Sequence, residues 1–218
     1  MTKYRRADPE ISRRKFINVA LGTAGAVGGL GLVTALAGVR PPIRITFGKL
    51  PAVDGDVLVY AGGSKDGQPV KVADLDNKIT RAWPQGKDKN GNPVVKKDEP
   101  NNLLIIYKFP VAELVAPTDL KAVAEGGVVA YSGICQHLGC QVGDNPTKPE
   151  TILCPCHSGA YDPRAGCKVI GGPPPRPLPQ LPIKLDGDGV VAIGPLEAPY
   201  YGTTEGDWAS LLEEAKTL

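Results

Sequence analysis

Histidine is almost missing from this chain. Only His137 and His157 occur in 218 residues, so imidazole chemistry near neutral pH rests on those two side chains. Aromatic residues are also scarce, at 6%. None of them is interleaved with a basic patch, which argues against a nucleic-acid surface and predicts no nucleic-acid partner. A strong charge bias is lacking too, with a formal net charge of +2. Six basic residues (Lys3, Arg5, Arg6, Arg13, Arg14, Lys15) against Asp8 and Glu10 fall within 1–15, so the remainder is slightly acidic. No internal repeat is visible. The glycine pairs at 62–63, 126–127 and 171–172 open no helix after a strand, which reads them as turns and not as phosphate loops. What is abundant is glycine (27) and proline (22). Together they argue for many turns and against a mostly helical protein. The 42% hydrophobic content is that of a folded chain.

The N-terminus carries the first signal. Ser12-Arg13-Arg14-Lys15-Phe16-Ile17 places two arginines before an apolar run, the pattern of twin-arginine export. The run continues from Phe16 to Val39. As a helix it would span ~36 Å, enough for a ~30 Å hydrocarbon core. The basic flank predicts a cytoplasmic segment at 1–15, a single-pass anchor in membrane lipid at 16–39, and the rest on the outer side of a bacterial cell membrane. A competing reading is a cleaved signal peptide, because Ala35-Leu36-Ala37 has the form of a cleavage site. Pro41 and Pro42 end the helix and predict a hinge linker over 40–48.

Short β-like runs follow at 43–47, 57–61, 103–109, 128–132, 151–153, 183–185 and 190–193, each bounded by Gly, Pro, Asn or Asp. They predict an antiparallel all-β head over 49–194, a sandwich or small barrel. Residues 84–102 are polar and read as an exposed loop or hairpin tip. In the extension 195–218, Trp208, Leu211, Leu212 and Ala215 recur at helical spacing after Asp207, predicting a short C-terminal helix.

Both histidines sit among four of the five cysteines. The first group is Cys135-Gln136-His137-Leu138-Gly139-Cys140, and the second is Cys154-Pro155-Cys156-His157-Ser158-Gly159. Thiolates and imidazoles this close are metal donors. A structural zinc site is one use of such a set, and two disulfides with incidental histidines is another. A 2Fe–2S cluster with two cysteines on one iron and two histidines on the other is a third. Cys167 stands outside both groups and reads as a small buried apolar residue.

The pattern C-x-H-x-G-C followed by C-P-C-H resembles that of the Rieske subunits of cytochrome bc-type quinol oxidoreductases. The resemblance covers the anchor, the linker and most of 128–185. It is weak over 49–127 and absent over 195–218. It implies a Rieske-type 2Fe–2S cluster, with Cys135 and Cys154 on one iron and His137 and His157 on the other. It implies a Cys140–Cys156 disulfide, which suits an oxidising compartment. The cluster-binding loops would occupy 133–179. The run Gly171–Pro179 looks like the family's proline-rich cover, placing Pro174 near the cluster. Tyr161-Asp162 matches an aromatic–Asp pair whose hydroxyl would donate to a ligand sulfur. Leu138, Gly139, Ser158 and Gly159 would complete the surroundings. Many high-potential members carry a serine where this chain has Gly159, so a lower midpoint potential is expected, one suited to a quinol such as menaquinol. The resemblance further implies a cytochrome b subunit, a c-type cytochrome, a quinol substrate that His157 contacts and deprotonates, and a dimeric complex. Within electron transfer, the small subunit of an arsenite oxidase is the alternative. A secreted zinc- or disulfide-stapled binding module is the alternative from another class.

Overall fold

The computed structural model describes residues 12–38 and 46–196, with Ser210 and Glu213 besides. The chain divides into two units, 1–44 and 45–218. In the first, α1 (Arg13–Gly38) is 26 residues long, about 39 Å at the α-helical rise. Its segment Arg13–Thr34 is apolar and unburied, long enough to cross a membrane. Ser12 caps its start, accepting from the Lys15 N–H at 3.3 Å. The two threonine hydroxyls donate back into the helix, Thr23 to Val19 O and Thr34 to Leu30 O. Neither then needs an outside partner, which makes both tolerable in an apolar setting.

In the second unit, the described strands all pair antiparallel. In chain order its strands are β1 (Val57–Tyr60), β2 (Thr80–Lys87), β3 (Pro93–Val95), β4 (Leu104–Lys108), β5 (Val128–Ser132) and β6 (Gly143–Asp144). There follow β7 (Ile152–Cys154), β8 (Gly159–Asp162), β9 (Lys168–Gly171), β10 (Gln180–Leu181), β11 (Ile183–Asp186) and β12 (Gly189–Ala192). One sheet runs β10-β5-β4-β2-β1-β12-β11, with β3 on β2. A smaller sheet runs β6-β7-β8-β9. The chain leaves the large sheet after Ser132 and re-enters it at Gln180, which pairs with Tyr131. Everything between those points belongs to the smaller sheet and its loops.

The pair β4–β5 joins the two layers. Leu104, Ile106, Val128 and Ala130 enter one hydrophobic core, made largely by the large sheet. Their neighbours Ile105, Tyr107, Val129 and Tyr131 enter a second core shared with Cys135, Ile152, Cys154, Tyr161 and Leu178. Both faces of these strands are therefore buried. That is why Leu103–Phe109 and Val128–Ser132 read as continuous apolar runs and not as alternating ones.

Two expectations change. Residues 84–102 are not one exposed loop. Pro84–Lys87 completes β2, Val94 pairs with Gly86, and Lys96 and Asn102 are fully buried. Only the turn around Asp88–Asn92 is a hairpin tip. A polar stretch enters the interior here because its buried donors find acceptors: Asn102 Nδ2 donates to Leu50 O and Lys96 O, at 2.8 and 2.9 Å. The expected strand at 43–47 gives way, in its described part, to a 3-10 turn at Phe47–Lys49, whose Gly48 is buried against Asp98. Residues 39–45, and the C-terminal helix expected around Trp208–Ala215, lie outside the described residues apart from Ser210 and Glu213.

Candidate metal centre

The first loop follows β5. It is closed by the Cys135 N–H to Cys140 O at 2.8 Å and the Gly139 N–H to Cys135 O at 3.1 Å. Gly139 has φ +78°, a conformation that carries little cost only for glycine. The second loop is the β7–β8 turn, where Cys154 pairs with Gly159 and Pro155–Ser158 protrude. Cys140 and Cys156 are disulfide-bonded, with Cα atoms 6.6 Å apart. The bond joins the loops and removes both sulfurs as thiolate donors, although they lie within 4.8 Å of Cys154 Sγ.

The remaining donors converge. Cys135 and Cys154 are buried free cysteines. The His137 and His157 rings meet edge to face, with centroids 4.8 Å apart. His137 is half-buried and His157 exposed, so the site has a dry sulfur side and a histidine side open to the surface. His137 Nδ1 is buried with no hydrogen-bond partner, one of two such side-chain atoms among the described residues. An unpaired buried imidazole nitrogen is costly in protein and is satisfied by a metal. The donor set therefore fits a centre with two thiolates and two imidazoles.

Hydrogen bonds to the sulfurs come from the second loop and from β8. The backbone N–H groups of Cys156 and His157 donate to Cys154 Sγ. Tyr161 is fully buried, with its hydroxyl 3.1 Å from Cys135 Sγ. The Gln136 N–H donates to the same oxygen at 3.2 Å, which leaves the hydroxyl hydrogen for the sulfur. Burial first, and then the bond to Cys135, holds the phenol well above its usual range. It stays a protonated donor.

The proline segment covers the second loop. At Gly172, φ is +78° and an added Cβ would stand 2.6 Å from Ser158 O and 2.7 Å from Gly159 Cα, so only glycine allows this approach. Pro174 is buried beside Gly159, where an added Cβ would meet Pro174 Cγ at 2.6 Å. A serine hydroxyl has no room at 159 in this arrangement. Ser158 is exposed and, unusually for a serine, has φ +56°. Leu138 projects at 56% exposure beside the histidines. Cys167 is fully buried, as its sequence context suggested, and lies in the same core. Gln136, Gly172 and Arg176 lie in the expected cluster-binding loops but carried no expected role of their own. The one visible signal was a charged residue, Arg176, standing between prolines.

Two loops presenting buried sulfurs and paired imidazoles define an iron–sulfur protein, and the comparisons with known proteins agree. A family model described as "Rieske [2Fe-2S] domain" matches residues 94–182. The cytochrome bc1 complex Rieske iron–sulfur subunit of Streptomyces lividans is 32% identical over 134 residues, covering 61% of this chain and 78% of that protein. The Mycobacterium tuberculosis subunit of the same name is 30% identical over 222 residues, covering 87% of this chain and 52% of the relative. A Haloferax mediterranei protein, provisionally named the Rieske subunit of a respiratory nitrate reductase, is 46% identical over 74 residues, covering 34% of this chain and 33% of the relative. This chain belongs to the Rieske iron–sulfur protein family, and its cofactor is a Rieske 2Fe–2S cluster. It spans a third of the Haloferax relative's length and about half of the mycobacterial one's.

Proposed function

We propose that this chain is the electron-transfer subunit of a membrane cytochrome bc complex, a quinol–cytochrome c oxidoreductase. The observation that carries the reading is the two-sided site: buried Cys135 and Cys154, with His157 exposed. Cys135 and Cys154 would hold one iron and His137 and His157 the other. When bound, the cluster supplies one-electron acceptance at a potential above that of all-cysteine ferredoxins. The chain's own residues do the rest. His157 presents its ring edge to a docked quinol, accepts the hydrogen bond of the quinol hydroxyl, and takes up its proton on the nitrogen not committed to iron. Leu138 offers that quinol site an apolar contact. Tyr161 and the backbone N–H groups of Cys156 and His157 hydrogen-bond the ligand sulfurs, and with the cluster bound they would favour its reduced form.

In this reading the segment 1–15 stays cytoplasmic, and the twin-arginine route exports the head. The helix at 16–39 anchors the chain, and the head 49–194 lies outside the membrane. A swing about residues 40–48 would carry the head from cytochrome b to a c-type cytochrome in a dimeric complex. The lack of a hydroxyl at Gly159 supports a lower midpoint, suited to a quinol such as menaquinol. A redox titration reaching the potential of serine-containing members would refute that last point. The Haloferax relative favours a second reading, in which the electron partner is a respiratory reductase.

Purification from membranes separates the two readings: the first expects a cytochrome b subunit with quinol-dependent cytochrome c reduction. His157→Ala is expected to abolish the Rieske-type paramagnetic resonance signal, and an intact signal would remove His157 from the ligand set. Tyr161→Phe is expected to lower the midpoint by about 40 mV, taking ~1 kcal/mol as the hydrogen bond's preference for the reduced state in a one-electron couple. An unchanged midpoint would show that the hydroxyl does not act on the cluster.

A further inference from the structure

Three segments meet at the centre. The disulfide ties the first loop to the second, and Gly172 with Pro174 seats the proline segment on the second. The junction between the proline segment and the first loop is made by a side-chain pair: Arg176 Nε donates to Gln136 Oε1 at 3.2 Å.

Gln136 is 2% exposed. Its Nε2 donates to Ile134 O at 3.0 Å, which turns Oε1 toward the proline segment. A buried amide oxygen needs a donor. From Pro173 to Pro179 the five prolines and Leu178 offer no side-chain donor, and the Leu178 N–H is already given to Cys167 O. Arg176 is the side chain that answers. Gln136 is also the residue whose backbone N–H occupies the Tyr161 oxygen and leaves the hydroxyl hydrogen for Cys135 Sγ. A continuous path thus runs from Arg176 through Gln136 and Tyr161 to Cys135.

We propose that Arg176 is a positioning residue for the cluster: it clamps the proline segment to the first loop and holds Gln136 where it aims the Tyr161 hydroxyl at Cys135. The inference rests on the ligand reading above. It depends on the guanidinium as a directed donor, for which a lysine ammonium is not equivalent.

The test uses the full chain in detergent, with Arg176→Met, Arg176→Lys, Tyr161→Phe and the Arg176→Met/Tyr161→Phe double variant. Three quantities are measured: iron with acid-labile sulfide, midpoint potential, and backbone hydrogen exchange over residues 171–178. In Arg176→Met, exchange in this segment is expected to rise about tenfold, the equivalent of one lost buried hydrogen bond, and the midpoint is expected to fall. The midpoint shift should be smaller when Tyr161 is already phenylalanine, because the path is then cut. Arg176→Lys keeps the charge but loses the Nε donor, so its exchange should also rise. An equal midpoint shift in both backgrounds would reduce Arg176 to a remote charge and overturn the proposal. Unaltered exchange in the methionine and lysine variants would overturn the clamp. Wild-type protein without iron and sulfide would refute the ligand reading instead, while the exchange comparison, which needs no cluster, still judges the clamp.

Discussion

Replacing Lys96 with methionine is expected to destabilise the head by about 3–5 kcal/mol, the usual cost of leaving a buried charge without its partner. Lys96 and Asp56 side chains are 0% and 4% exposed and form an ion pair at 2.6 Å. The ammonium also donates to Pro51 O at 3.0 Å and lies 5.1 Å from the centre of the Phe47 ring. Burial is the largest influence on both partners. It pushes the Asp56 carboxyl up and the Lys96 amine down, and their mutual attraction opposes it. Without Lys96, the carboxylate keeps only the Val53 N–H among its bonds at Oδ2. Denaturant unfolding of the apo and cluster-loaded protein measures the loss. The double change Lys96→Met/Asp56→Leu should recover most of it, since two apolar residues leave no buried charge. A double variant as unstable as the single one would show that packing, not charge, was lost.

The pH dependence follows with a definite sign. With Lys96 gone, the folded pKa of Asp56 lies still further above its unfolded value. The folded state then binds that proton more tightly, so this group's contribution to stability falls as pH rises from the unfolded pKa toward the folded one. The deficit relative to wild type should therefore shrink on acidification. A deficit that grows toward low pH would contradict the assignment.

The double variant Cys140→Ser/Cys156→Ser is expected to lose about 3 kcal/mol, the loop-closure entropy for a bridge across roughly 15 residues. The cysteines are 16 positions apart. In a head of this size that corresponds to a fall of roughly 6–12 °C in the unfolding midpoint. The damage should concentrate at the centre. The second loop is a protruding turn, and apart from the bridge its tip is held chiefly by the backbone donors on Cys154 Sγ and by Gly172. Iron should therefore be lost well below the temperature at which the large sheet unfolds. Calorimetry alongside visible absorbance separates the two events. Simultaneous loss, at the wild-type temperature, would mean that the bridge contributes nothing to either.

Legibility from the sequence varied with the kind of force that holds each element. Leu103–Phe109 and Val128–Ser132 announced themselves as strands because hydrophobic burial writes directly into composition. β6, β8 and β9 did not. Gly143-Asp144 has no apolar residue, and Gly159–Asp162 and Lys168–Gly171 have two apiece, runs too short to stand out from the surrounding turns. The polar stretch 84–102 was misleading for the opposite reason. The Lys96 ammonium and the Asn102 Nδ2 are buried because Asp56, Pro51 and Leu50, some 40 to 52 positions away, accept their hydrogen bonds. Local pattern has no access to such partners.

The sequence by itself determined the donor set: Cys135 with His137 in one loop and Cys154 with His157 in the other, two and three positions apart, where covalent spacing alone keeps the donors together. The resemblance it carries implied the Cys140–Cys156 bond, and the fold contains it. Tertiary structure decided how the loops meet. It placed Cys135 and Cys154 in a core and left His157 at the surface. It filled the space beside Gly159 with Pro174, and it matched Gln136 with Arg176 across 40 positions. Those arrangements follow from packing and from the need of each buried polar atom for a partner, and both are settled only when distant segments come together.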